Sequence, residues 1–250
     1  MAVKAIVLGA GKGTRMESDL AKVLFPVAGR PMLLWVLDAM ADAGVAETVV
    51  VVGHQADKVR SILPDGVGSA LQEEQLGTGH ACRVGLEALG NEPDDEIVVI
   101  PGDMPLVTGA TILSLLETHR STGAAATLLT AELDEPRAYG RVVRRDGMVV
   151  AIVEVKDADP AQLEIKEVST SVYVFTSRHL PGALARLAER DGDGWRIKDD
   201  PPLIVGADVD MAMRQRLHGF FDGYVASLPP EMLPLIRHYK LVDFARKVVG

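Results

Sequence analysis

A short apolar run, Lys4 to Leu8, breaks directly into Leu8-Gly9-Ala10-Gly11-Lys12-Gly13-Thr14-Arg15-Met16, and this junction constrains the fold more than any other stretch of the chain. An apolar run ended by glycine reads as a buried strand leaving the core. Glycines at 9, 11 and 13 let the backbone approach a charged ligand and turn its N–H groups inward, which suits a triphosphate. A tight strand-to-helix turn or a dinucleotide loop would use similar spacing. The loop ends, however, in Lys12, Thr14 and Arg15 rather than in the small residues of a dinucleotide fingerprint, and it lacks the Gly-Lys-Ser/Thr ending of a P-loop.

The segments beyond the loop set the fold class. Met32, Leu33, Val36, Leu37 and Met40 mark one face of a helix within Pro31 to Ala43. A strand at Glu47 to Val52, helices around Asp57 to Leu63 and Thr78 to Leu89, and a strand at Glu96 to Ile100 come next. Strands alternating with helices in this way predict a doubly wound α/β domain, a mostly parallel sheet covered on both faces. After a helix at Thr111 to His119 the rhythm changes. Ala125 to Ala131, Gly140 to Arg144, Met148 to Glu154 and Val168 to Phe175 read as four strands with little helix between them, a mixed extension with antiparallel members near one edge.

Composition excludes several classes of function. The chain has 250 residues, 48% of them hydrophobic, enough for a sizeable core. A formal net charge of −9 without any basic block argues against general nucleic-acid binding, although a local cluster of cations and N–H groups still serves a phosphate ligand. The lone Cys82 excludes an internal disulfide and a Cys-based metal site, which fits a cytoplasmic, reducing compartment. No signal-peptide layout is visible, and no apolar run reaches the roughly 18 residues of a membrane span.

Three further segments carry chemistry. Lys22, in Ala21-Lys22-Val23-Leu24-Phe25-Pro26, brings another cation close to the glycine loop, where a triphosphate and its pyrophosphate leaving group need neutralising; an ordinary solvated lysine is the alternative. In Gln72-Glu73-Glu74-Gln75-Leu76-Gly77-Thr78-Gly79-His80, an amide side chain offers a donor and an acceptor to a base edge, and Gly77-Thr78 at a helix start offers backbone groups. By residue type alone, Gln72 is equally a surface amide. Ile97 to Ile100 leads into Pro101-Gly102-Asp103-Met104-Pro105-Leu106. A carboxylate just past the end of a parallel strand stands where open α/β sheets bind ligands, so Asp103 is placed to hold Mg²⁺ or, alternatively, to cap the next helix.

These strings resemble the sugar-nucleotide pyrophosphorylases, most closely the N-terminal uridylyltransferase domain of bifunctional N-acetylglucosamine-1-phosphate enzymes. The resemblance covers about residues 3 to 188. It implies a Rossmann-like nucleotidyltransferase core using UTP, a sugar 1-phosphate and Mg²⁺. It assigns Leu8, Gly9, Ala10, Gly11, Gly13, Gln72, Gly77 and Thr78 to the nucleotide, Lys12, Arg15 and Lys22 to the transferring phosphates, and Asp103 to the metal. Gly140 in Tyr139-Gly140-Arg141, Glu154 and Ser169 fall at its sugar-contacting positions. Ser169 departs from the family pattern, which has Asn there and usually Gly at the position of Ser171; Pro101 stands where many members carry a polar or aromatic residue. A hydroxyl lacks the paired donor and acceptor of an amide, so the sugar stays open.

The family continues with a Gly-Glu-Tyr-Tyr-like segment, and with a Gly-Val-Asn-Asn-Arg segment whose Asn completes the metal site. Neither is visible here, nor are the hexapeptide repeats of an acetyltransferase half. Arg190 to Trp195 reads as a joint; residues 1–190 form the core, and residues 191–250 form a mainly helical tail with helices at Met211 to Ala226 and Pro234 to Val249. The tail is similar to part of an unrelated, uncharacterised bacterial family. It is expected to pack on the core or to join copies into a homo-oligomer. Three functions therefore stay open at this level: a uridylyltransferase, a related transferase with another sugar or base, and a non-catalytic nucleotide-binding or interaction protein.

Overall fold

The computed structural model describes residues 1–11, 18–90 and 92–188, together with the strand Ile204–Asp208. In chain order the elements are β1 (Val3–Leu8), β2 (Pro26–Val27), β3 (Arg30–Pro31), α1 (Met32–Asp42), β4 (Glu47–Val52), α2 (Ala56–Arg60), β5 (Val67–Leu71), α3 (Thr78–Ala88), β6 (Glu96–Pro101), α4 (Gly109–Thr122), β7 (Ala126–Glu132), β8 (Arg141–Arg145), β9 (Met148–Val153), α5 (Pro160–Leu163), β10 (Glu167–Thr176), α6 (Leu180–Ala188) and β11 (Ile204–Asp208). The expected joint at Arg190 to Trp195 and the two expected tail helices lie outside the described residues.

Among the described residues nine strands form one open sheet in the order β5-β4-β1-β6-β10-β7-β11-β9-β8. The first four run parallel, so the expected doubly wound half is present. β10 then enters antiparallel between β6 and β7. The mixed extension thus begins in the middle of the sheet, and the antiparallel hairpin β8-β9 closes the far edge. β5 is the strand that periodicity does not reveal. Its sequence, Val-Gly-Ser-Ala-Leu, is mostly solvent-facing, as befits an edge strand with one neighbour.

Period-2 alternation explains how the sheet is covered. Ile6, Val49, Val51, Ile97 and Val99 face one side, where they bury Ala81, Cys82 and Leu86 of α3, Leu89 just after it, and Leu180 and Leu184 of α6. The other parity, including Ala5, Val7, Val50, Val98 and Ile100, is equally buried. α1 and α4 pack against each other, and Leu33 and Met40 of α1 and Ile112 and Leu116 of α4 are buried. Helix ends follow local chemistry. The Thr108 hydroxyl accepts from Thr111 N–H at 3.3 Å to start α4, and Gly123, at a left-handed φ of 59°, stops it.

The amino ends of β1 and β6 are fastened by a buried carboxylate. Asp95 accepts from Glu92 N–H at 3.0 Å and Ala2 N–H at 2.7 Å, and it pairs with Lys4 Nζ at 3.2 Å. These donors hold its carboxyl at about 2, below the usual carboxylate range. The opposite, carboxyl edge of the sheet carries the candidate site. Among the described residues no helix is long and apolar enough to cross a membrane.

Candidate active site

The glycine turn leaves β1 at the carboxyl edge. Gly9 N–H donates to Val51 O at 2.8 Å, and a Cβ on Gly9 would stand 3.2 Å from that oxygen, so glycine permits the close approach of β1 to β4. Leu8 is half-buried and its carbonyl accepts from Gly102 N–H at 2.9 Å, which fixes the start of the turn beside the end of β6. Ala10 is buried and Gly11 is exposed. The Gly9 N–H is thus engaged within the sheet and is not free for a ligand. Lys12, Gly13 and Arg15 lie outside the described residues.

Lys22 opens a single 3-10 turn, Lys22–Leu24, anchored by the buried Val23. Asp103 stands two residues beyond β6, and the Lys22 ammonium forms an ion pair with its carboxylate. The two residues expected to hold the transferring phosphates and the metal therefore face each other. Arg30, another cation of this stretch, is engaged elsewhere. It forms a bidentate pair with Asp38 and lies over the Trp35 ring, 5.1 Å from its centroid.

Among the described residues no three His, Cys, Asp or Glu side chains gather into a preformed metal cage. The donor chemistry at Asp103 is a single partly exposed carboxylate. That fits a magnesium ion that keeps several waters and is completed by phosphate oxygens of a substrate.

Gln72 comes directly after β5 and is buried. Its amide nitrogen donates to Gly77 O at 3.3 Å and lies 3.1 Å from His80 Nδ1. Gly77, at φ 93°, precedes the first turn of α3, where Thr78 is exposed. The three residues expected to read a base are thus assembled at one loop, with the Gln72 side chain oriented by its neighbours. One more amide ties this loop to the glycine turn, since Gln75 Nε2 donates to Ala10 O at 2.9 Å.

The expected sugar-contacting residues also converge. Ser169 N–H donates to Gly140 O at 2.9 Å, and a Cβ on Gly140 would meet Glu154 Oε1 at 3.3 Å. Ser169 is buried, with its hydroxyl 3.4 Å from the Tyr173 hydroxyl and 3.2 Å from Ser171 N–H. Ser171 takes a left-handed φ of 63° where the register of β10 against β7 shifts. Since β10 runs antiparallel to β6, with Tyr173 opposite Val99, its amino-terminal half lies toward the carboxyl end of β6, on the Asp103 side. Burial pushes the Tyr139 hydroxyl pKa up, and the nearby Asp103 charge raises it further.

Several residues here take structural roles that their type does not announce. Arg141, by type a solvated surface cation, is buried and donates to the backbone oxygens of Leu163, Tyr139 and Arg137, which shapes the loop before Gly140. Gln55, His54 and Gln75 bond to backbone atoms around the glycine segment. Hydrogen bonds to main-chain atoms leave no residue pattern by which a sequence could reveal them.

Residues 5–201 match the family described as the MobA-like NTP transferase domain, and the chain belongs to that family. It is a nucleotidyltransferase by fold and family. Among curated proteins it is 47% identical over 205 residues to the bifunctional protein GlmU of Exiguobacterium sibiricum, covering 82% of this chain and 45% of that one. It is 48% identical to the GlmU of Heliobacterium modesticaldum, covering 76% of this chain and 42% of that one. It is 42% identical to that of Trichlorobacter lovleyi, with 86% and 53% covered. The chain spans about half the length of these relatives. A crystal structure from Bacillus anthracis, described as a glucose-1-phosphate thymidylyltransferase in complex with a sucrose, superposes with a TM-score of 0.62 at 18% identity, covering 84% of this chain and 87% of that one. This last likeness speaks for the fold alone.

Proposed function

We propose that the chain transfers the uridylyl group of UTP to a sugar 1-phosphate, with N-acetylglucosamine 1-phosphate as the acceptor that its GlmU relatives favour, releasing pyrophosphate. The observation that carries this reading is the Lys22–Asp103 pair at the carboxyl edge, flanked by the glycine turn on one side and the Gly140–Glu154–Ser169 cluster on the other.

An acceptor phosphate oxygen attacks the α-phosphorus, forming a new P–O bond while the bond to the β-bridging oxygen breaks and pyrophosphate carries away the electron pair. No proton shuttle or covalent enzyme intermediate is needed, so catalysis consists of positioning and charge neutralisation. N–H groups of Gly11 and Gly13, with Lys12 and Arg15, would hold the departing phosphates. Lys22 would bridge the α-phosphate and the acceptor phosphate, which repel each other until a cation lies between them. Asp103 would hold Mg²⁺, whose charge neutralises phosphate oxygens when bound. Gln72, Gly77 and Thr78 would pair with the uracil edge, and Glu154 would accept sugar hydroxyls.

A second reading, the same transfer to a different sugar 1-phosphate, is favoured by Ser169, whose short hydroxyl is already engaged by Tyr173 and Ser171. Pyrophosphate release over a panel of four nucleoside triphosphates and several sugar 1-phosphates tests both. UTP with N-acetylglucosamine 1-phosphate should give the highest kcat/KM. A different preferred sugar establishes the second reading, and no release with any pair rejects both.

A further inference from the structure

The three residues after β4, Gly53-His54-Gln55, hold both limbs of the glycine segment. On the outgoing limb His54 N–H donates to Ala10 O at 3.3 Å. A Cβ on Gly53 would stand 2.9 Å from both Cβ and O of Ala10, so the two backbones meet at a distance that only glycine allows. On the returning limb the His54 ring donates from Nε2 to Asp19 O at 2.8 Å, and Gln55 Oε1 accepts from Ala21 N–H at 3.2 Å. Lys22 is the next residue. Gln55 occupies this place at a left-handed φ of 53°, a conformation that residues other than glycine and asparagine rarely adopt.

The described ends of the glycine segment, Ala10 on one side and Asp19 and Ala21 on the other, are therefore held by one tripeptide, with Gln75 adding a second bond to Ala10 O. Fixing the ends of a loop lowers the entropic cost of holding its donors in one arrangement, and a donor displaced by a fraction of a bond length loses much of its effect on a developing charge. We infer that His54 and Gln55 are positioning residues for nucleotidyl transfer: they touch no substrate, and they set the returning limb so that Lys22 meets the phosphates. The inference rests on the reading that the glycine turn and Lys22 hold a triphosphate.

Variants that alter one hydrogen bond at a time test it. Gln55→Met keeps side-chain length and removes the acceptor, His54→Phe keeps the ring shape and removes its donor, and His54→Gln restores a donor. UTP affinity by calorimetry, kcat and KM from pyrophosphate release, and melting temperature are read on each. Gln55→Met and His54→Phe should lower kcat roughly 10- to 100-fold, with a smaller change in UTP affinity and no matching fall in melting temperature. His54→Gln should recover most of the lost kcat. Wild-type kcat in both deletion variants overturns the inference, as does a loss in His54→Phe that His54→Gln does not repair or a loss that tracks melting temperature. Amide exchange on the wild-type protein needs no variant: the Ala21 amide should be protected before UTP is added, and unprotected exchange there also overturns the inference. If the wild-type protein binds no triphosphate, the functional reading itself falls, and this inference with it.

Discussion

The Lys22 ammonium lies against the Asp103 carboxylate at the carboxyl edge of the sheet, with the lysine side chain 45% and the carboxylate 21% exposed. Such a partly solvated pair contributes only about 0–1 kcal/mol, so a substrate that brings its own phosphates and cation separates it at little cost. Under the proposed function each partner would then turn to a charge of opposite sign, Lys22 to phosphate and Asp103 to Mg²⁺.

Removing the cation should therefore harm turnover far more than stability. Lys22→Ala is expected to lower kcat by roughly 10²- to 10³-fold while leaving the melting temperature near that of wild type. Steady-state pyrophosphate release with a parallel melting curve checks it; unchanged kcat would remove Lys22 from the transfer step.

Asp103→Asn keeps the shape of the side chain and loses its charge. The wild-type protein should be inactive after chelation and recover with added Mg²⁺, whereas the variant should need a far higher Mg²⁺ concentration for half-maximal rate. A magnesium titration of both proteins decides this, and identical curves would place the ion elsewhere.

Gln72 is oriented by Gly77 O and His80, so its effect should be on choice of base. Gln72→Ala is expected to reduce the preference for UTP over CTP by roughly 10- to 100-fold, chiefly by lowering kcat/KM for UTP. Competing the two triphosphates in one reaction measures the ratio directly.

Two buried groups predict a two-stage loss of stability in acid. Burial lowers the pKa of His119, whose ring nitrogens lie 2.8 Å from Thr127 Oγ1 and 3.0 Å from Thr176 Oγ1. With the folded value below 6.5, the unfolded chain takes up this proton first, and stability falls as pH drops below 6.5. Asp95 acts lower down: with a folded value of about 2 against an ordinary 3.8, its contribution is complete above that ordinary value and is lost as pH falls toward 2. Melting temperatures from pH 8 to 3 should show both stages. His119→Gln should flatten the first and Asp95→Asn the second.

The doubly wound half was legible because its strands are buried on both faces and its helices keep a clean apolar stripe. Asp103 stood out by its place just past a strand end and Lys22 by its closeness to the glycine loop, whereas Gln72, Gly140, Glu154 and Ser169 stood out only through the family resemblance, since a loop amide or a strand serine announces nothing by its type. The carboxyl-edge framework was not legible. Gln55 and Gln75 act on main-chain atoms of Ala21 and Ala10, and nothing in an amide's identity announces a backbone partner far along the chain. Arg141 is hidden for the same reason, being a buried cation satisfied by three carbonyls rather than by an acid. β5 escaped because an edge strand with Gly68 and Ser69 at its centre has little apolar face to display.

Labelled UTP tests the central claim most directly. With the acceptor sugar 1-phosphate and Mg²⁺, label in the α-phosphorus should appear in the nucleotide sugar, and label in the γ-phosphorus should appear only in pyrophosphate. Recovery of the γ label in the sugar product or as free phosphate would mean that the bond cleaved is not the one this site is built to break.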